Sequence, residues 1–214
     1  MNTLYVRRAA LAVSAAAVLP LALTACSSDS KDSASGSAGS SAKASATASA
    51  DDSMSMDKPF GPGCASVPKS GSGSFDGMAK DPVATAASNN PALSTLVTAV
   101  TKAGLVDTLN NARNITVFAP TNDAFAKIPK ADLDKLLADK AELTKVLTYH
   151  VVGEKLMPKQ LEKGSFETLE KGELTTSGSD MTYTVNDSSK VVCGNVPTAN
   201  ATVYIVDSVL MPPK

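Results

Sequence analysis

Among 214 residues the chain has one histidine, His150, and three cysteines, Cys26, Cys64 and Cys193. These side chains carry most acid–base, nucleophilic and soft-metal chemistry near neutral pH. An Asp-His-Ser arrangement could be written from His150, Asp123 or Asp207, and a serine. Such a site needs the serine held on a sharp turn, and no Gly-x-Ser-x-Gly supplies one. His150 sits in Leu147-Thr148-Tyr149-His150-Val151-Val152. In that apolar setting a neutral, buried ring bonded to backbone is the leading reading, ahead of an interaction surface and well ahead of catalysis. Cys64 and Cys193 have no neighbouring Cys or His at zinc-ligand spacing. Met54 and Met56, flanked by Asp51, Asp52 and Asp57, lack an imidazole to complete a soft-metal cage. The expectation is no catalytic residue, no metal and no cofactor.

Cys26 is different because of what precedes it. Arg7 and Arg8 are followed by an apolar run from Ala9 to Leu23, the pattern of a secretory signal. The run is shorter than the roughly 20 residues that cross a bilayer, and Pro20 interrupts it. Leu23-Thr24-Ala25-Cys26 resembles the bacterial lipobox, in which the thiol is acylated and becomes the new N-terminus. Residues 1–25 therefore read as a lipoprotein signal peptide, and Cys26 as the lipidation site. The expected location is extracytoplasmic, anchored to the membrane, with simple secretion as the alternative. Cys64 and Cys193 then remain as an even pair in an oxidising compartment. Bridged, they would close a loop of about 130 residues, worth at most about 5 kcal/mol by chain entropy. Two buried free thiols are the other reading.

The elements that must position these residues begin beyond a low-complexity stretch. Residues 26–60 are dominated by Ser, Ala, Gly, Asp, Thr and Lys, too little apolar surface to offset ordering entropy. They read as a tether of about 35 residues, reaching on the order of 30 Å. Residues 61–214 have the length of one domain. A net charge of −1 gives no reason to expect nucleic acid or an anionic surface as partner. Tryptophan is absent, which offers no aromatic platform for sugars. Asn90 and Pro91 signal a helix start, Leu93, Leu96, Val97 and Val100 share one face, and Gly104 marks the stop. A strand is expected over Asn114 to Ala119, then a helix from Thr121 or Asn122 carrying Phe125 and Ile128. Two more helices carry Leu133, Leu136 and Leu137, then Leu143, Val146 and Leu147.

The period then becomes alternating. Strands are expected over 166–169, 173–176, 181–185, 190–193 and 202–207, with turns at Gly172, Ser177-Gly178 and Asn186-Asp187. Helices first and a strand meander second indicate an α+β fold. The early strand must reach the later sheet, a non-local topology that folds slowly. Lys159, Lys163 and Lys171, interleaved with Glu154, Glu162 and Glu170, read as a solvated mixed-charge face. Asn114, Asn186 and Asn200 each begin an Asn-x-Ser/Thr triplet, a glycosylation pattern without meaning in a bacterial host.

Two blocks carry a family resemblance. Thr116-Val117-Phe118-Ala119-Pro120-Thr121-Asn122-Asp123-Ala124-Phe125 and Asn200-Ala201-Thr202-Val203-Tyr204-Ile205-Val206-Asp207-Ser208-Val209-Leu210-Met211-Pro212 resemble the two signature blocks of the fasciclin (FAS1) domain. Tyr149-His150 between them matches the family's Tyr-His pair. Gly61-Pro62-Gly63-Cys64, Asp81-Pro82-Val83-Ala84, Val192-Cys193-Gly194 and the Met211-Pro212-Pro213 ending are similar to the single-domain mycobacterial members, one secreted and one lipid-anchored. The resemblance implies the FAS1 fold, with a mostly antiparallel sheet packed on several helices, and a Cys64–Cys193 disulfide. It also implies a part for Tyr149 and His150 in adhesive interactions. The second block departs from the family form, with Ala201 where Gly is usual and Tyr204 where His is usual. The expected function is a non-enzymatic surface protein that mediates adhesion or binds an extracellular or envelope partner. The alternative is a membrane-tethered carrier of a lipid-like or other small ligand, held in an apolar cavity between sheet and helices.

Overall fold

The computed structural model describes residues 58–213; Cys26, the signal segment, Met54 and Met56 lie outside the described residues. The helices are α1 (Phe75–Met78), α2 (Val83–Ser88), α3 (Ser94–Ala103), α4 (Val106–Asn111), α5 (Asn122–Ala126), α6 (Lys130–Ala138) and α7 (Lys140–Tyr149). The strands are β1 (Ile115–Pro120), β2 (Val151–Val152), β3 (Lys163–Glu167), β4 (Glu173–Ser179), β5 (Thr182–Val185), β6 (Ser189–Pro197) and β7 (Ala201–Val206). They form one sheet in the order β2-β1-β7-β6-β5-β4-β3. Every pairing is antiparallel except β1 with β7, where Val117 lies opposite Val203 and Phe118 opposite Tyr204. The fold is α+β.

β1 and β7 are buried along their whole length, which follows from side chains alternating between two cores. Ile115, Val117 and Ala119, with Ala201, Val203 and Ile205, face a helical core of Leu93, Leu96, Val100, Leu109, Leu143 and Leu147. Phe118, Tyr204 and Val206 face a second core with Phe60, Tyr149, Leu156, Leu174, Tyr183 and Val185. β6 serves both halves of the sheet and is irregular twice, between Val191 and Cys193 and between Cys193 and Val196. Such bulges bend a strand. The far end of the sheet returns to β2, where Val152 bridges Thr168 and the Leu169 N–H donates to the Val151 carbonyl at 2.8 Å. This closes the second core.

Local signals hold where their chemistry is local. Asn90 Oδ1 accepts from the Ala92 N–H at 3.0 Å, and Gly104 ends α3 at φ 75°. Thr121, not Asn122, caps α5, accepting from the Ala124 N–H at 3.1 Å. Leu133, Leu136 and Leu137 on α6 are only half-buried.

The strand boundaries needed correction. The β4–β5 turn is Asp180-Met181, both at positive φ (51° and 61°), as a two-residue hairpin with paired Ser179 and Thr182 requires. Gly178 instead lies inside β4 at φ 147°, where a Cβ would stand 2.1 Å from the Thr182 carbonyl oxygen. Residues 168–169 leave β3 to bridge β2 rather than extend it. Asn186-Asp187 does form the β5–β6 turn, at φ 48° and 53°.

Candidate functional site

Asp139 starts α7 by accepting from the Ala141 and Glu142 N–H groups at 2.9 and 3.1 Å. Leu143, Val146 and Leu147 then seat the helix on the core, which delivers Tyr149 and His150 to its C-terminal end. Both are 2% exposed. The His150 Nδ1–H donates to the Val146 carbonyl at 2.7 Å, and Nε2 accepts from the Leu210 N–H at 2.9 Å. That pair of bonds defines the neutral Nδ1–H tautomer. Burial pushes the imidazole pKa down to about 4, against a smaller upward effect of the Val146 bond. The His150 carbonyl also accepts from the Phe118 N–H at 2.9 Å. With both ring nitrogens given to backbone, the Asp-His-Ser arrangement is not assembled.

Tyr149 is equally enclosed. Its hydroxyl donates to the Glu173 carbonyl and accepts from Asn186 Nδ2, each at 2.8 Å. Both side chains are thus enclosed in the domain, His150 as a neutral ring bonded to backbone. They join α7 to the β4–β5–β6 hairpins and to the C-terminal segment.

The signature blocks are also ties. Asn122 Oδ1 accepts from the Thr95 N–H at 2.9 Å and from Ser94 Oγ at 3.2 Å, while Nδ2 donates to the Pro91 carbonyl at 2.9 Å. It thus satisfies the open N-terminus of α3 from another element. Asn200 Oδ1 accepts from the Val83 N–H at 2.8 Å, and Nδ2 donates to the carbonyls of Leu109 and Ala112 at 2.8 Å and of Asn110 at 3.2 Å. One side chain holds α2, α4 and β7 together. Sequence reasoning missed Asn122, Asn186 and Asn200 in these roles; the signal available was an Asn at an element boundary.

Asp207 accepts across the sheet from the Lys190 N–H at 2.8 Å. It also pairs with Lys127 at 3.1 Å and accepts from Ser208 Oγ at 3.1 Å. Partial burial would raise its pKa; the Lys190, Lys127 and Ser208 interactions outweigh it and hold the carboxyl below its usual range. Tyr204, in place of the usual His, stacks on Phe118 with ring centroids 5.8 Å apart and donates to the Leu156 carbonyl at 3.0 Å. Burial raises its phenol pKa.

Cys64 and Cys193 are bonded, with Cα atoms 4.8 Å apart. Beside them Phe60 bridges Gly194, and its ring fills the space that a Cβ on Gly194 would take. No group of three His, Cys, Asp or Glu that could hold a metal ion occurs among the described residues. No helix among them is long and apolar enough to cross a membrane. Between the sheet and α2, α3 and α4 lies an apolar cavity of about 50 Å³, with Thr198 and His150 the polar residues in its wall.

The family model for the fasciclin domain matches residues 91–212, and the chain belongs to that family. It is 49% identical over 161 residues to cell surface glycolipoprotein MPB83 of Mycobacterium bovis, covering 72% of each chain. It is 47% identical over 161 residues to immunogenic protein MPB70 of the same species, covering 72% of this chain and 82% of that one. Among solved structures it is similar to a FAS1 domain pair from the insect cell adhesion molecule fasciclin I. The TM-score there is 0.52 at 18% identity, over 63% of this chain and 52% of that one. The chain thus spans about half of the domain pair, and that likeness shows the fold.

Proposed function

We propose that this chain is a lipid-anchored surface protein whose FAS1 domain binds an extracellular or envelope partner without catalysing a reaction. Residues 1–25 are removed as a signal peptide, Cys26 carries the lipid, and the tether that follows ends before Phe60, whose ring packs in the core of the binding domain. The observation that carries the reading is 49% identity to a cell surface glycolipoprotein in a chain that itself has Leu23-Thr24-Ala25-Cys26. Acyl chains on one cysteine contribute about 0.8 kcal/mol per buried methylene, enough in combination for stable attachment. The one imidazole is committed to backbone bonds, which supports a binding rather than catalytic role. Tyr149 and His150 act here by holding the domain's shape.

Two measurements test this. Metabolic labelling with an alkyne fatty acid should mark the wild type and not Cys26→Ala, and the variant should leave the membrane fraction; equal labelling of both sinks the anchor. In-cell crosslinking of the anchored chain should capture an envelope or extracellular component. If nothing is captured and deletion leaves attachment and aggregation unchanged, the binding role fails.

A further inference from the structure

The cavity between sheet and helices is not sealed on all sides by large side chains. Its cover is α2, whose residues toward it are Val83, Ala84, Ala86 and Ala87. Side-chain ties hold the start of that helix: the Val83 N–H donates to Asn200 Oδ1 at 2.8 Å and the Ala84 N–H to Asn110 Oδ1 at 3.0 Å. A helix held at its N-terminus by polar ties and carrying mostly methyl groups inward covers the space without filling it. Ala84 and Ala87, with Val97 on α3 and Val106 on α4, are half-exposed and line the same space, so the apolar wall continues outward to the surface.

We propose that this cavity takes the terminal carbons of one linear alkyl chain, entering between α2 and α3. The lining sets the chemistry. Both nitrogens of His150 are already bonded, so the wall offers no open imidazole to a charged headgroup. The size sets the shape. An apolar cavity of about 150 Å³ stays dry and accepts benzene, and a space of about 50 Å³ is too small for a ring. A single methylene chain is the apolar group thin enough to enter, with its headgroup left outside.

The test uses the full chain carrying Cys26→Ser, so that no acyl group of its own competes. Straight-chain alkanols and alkanoates of four to twelve carbons are titrated by displacement of a fluorescent fatty acid. Affinity should rise roughly fourfold per added methylene, the gain expected for burying one, and level off once the cavity is full. Equal gains for alcohol and acid would assign recognition to the tail; affinity tracking the carboxylate alone would overturn the proposal. Ala86→Val narrows the cavity and Ala87→Leu blocks its rim; each should weaken binding tenfold or more with an unchanged melting temperature. Should Ala86→Val melt early, the half-exposed Ala87→Leu decides. Absence of saturable displacement, or equal affinity in a folded Ala87→Leu protein, would overturn the proposal.

Discussion

His150 shows how one residue's environment selects its role. Its imidazole is neutral because burial penalises the charged form, and both nitrogens are spent on backbone groups from different elements. The pH consequence has a definite sign. The folded pKa of about 4 lies below the ordinary 6.5, so between those values the unfolded chain binds the extra proton. Stability is unaffected by this residue above pH 6.5 and falls as pH drops toward 4. The loss totals on the order of 3 kcal/mol at about 1.4 kcal/mol per pH unit. Urea denaturation at pH 7 and pH 4.5 should show a smaller loss for His150→Gln than for the wild type; equal losses would refute the assignment. At pH 7 the same variant should be less stable by about 2–4 kcal/mol, because a buried carbonyl and a buried N–H lose their partner. Tyr149→Phe removes the hydroxyl between the Glu173 carbonyl and Asn186, and should cost about 1–3 kcal/mol in the same assay.

The helices near the cavity are short, and short helices are marginal without outside partners. Asn200 and Asn122 provide those partners by bonding to helix ends that would otherwise be unsatisfied. Asn200→Ala should cost about 2–4 kcal/mol and raise hydrogen exchange first at Val83 and around Ala112. Asn200→Asp should be no better, since it sets a carboxylate against three carbonyls that now receive an N–H. Uniform exchange across the molecule would show that the residue acts globally instead. In the sheet, Gly178 is confined by its φ of 147° and by the Thr182 carbonyl. Gly178→Ala should destabilise the β4–β5 hairpin by about 2 kcal/mol or more, read from the urea midpoint.

At the scale of the molecule, the disulfide and the parallel β1–β7 pair connect segments distant in sequence. Cys64 and Cys193 are 129 residues apart, and linking them removes unfolded-chain entropy worth up to about 5 kcal/mol. The double variant Cys64→Ala/Cys193→Ala should therefore melt roughly 10–20 °C lower, taking about 2–4 °C per kcal/mol for a domain of this size. An unchanged melting temperature would mean that the bridge constrains little the core does not already fix. β1 meets β7 only after the chain has passed through three helices and five strands, so refolding of the oxidised and reduced chains should differ in rate.

What the sequence determined by itself was chemistry set by near neighbours. The cap at Asn90, the stop at Gly104, the alternation in β1 and β7 and the α+β class all depend on residues a few positions apart. Periodicity could show that Val117, Phe118, Val203 and Tyr204 belong to strands, but not that the two strands lie side by side and feed two cores. The tertiary structure alone decided that Tyr149 faces inward, which backbone groups the His150 ring bonds, that Asn122 and Asn200 serve helices encoded elsewhere, and that Asp180-Met181 makes the turn instead of Gly178. The reason is the same in each case. A polar side chain or a positive φ acquires its meaning from the group opposite it, and in this fold that group is often dozens of residues away.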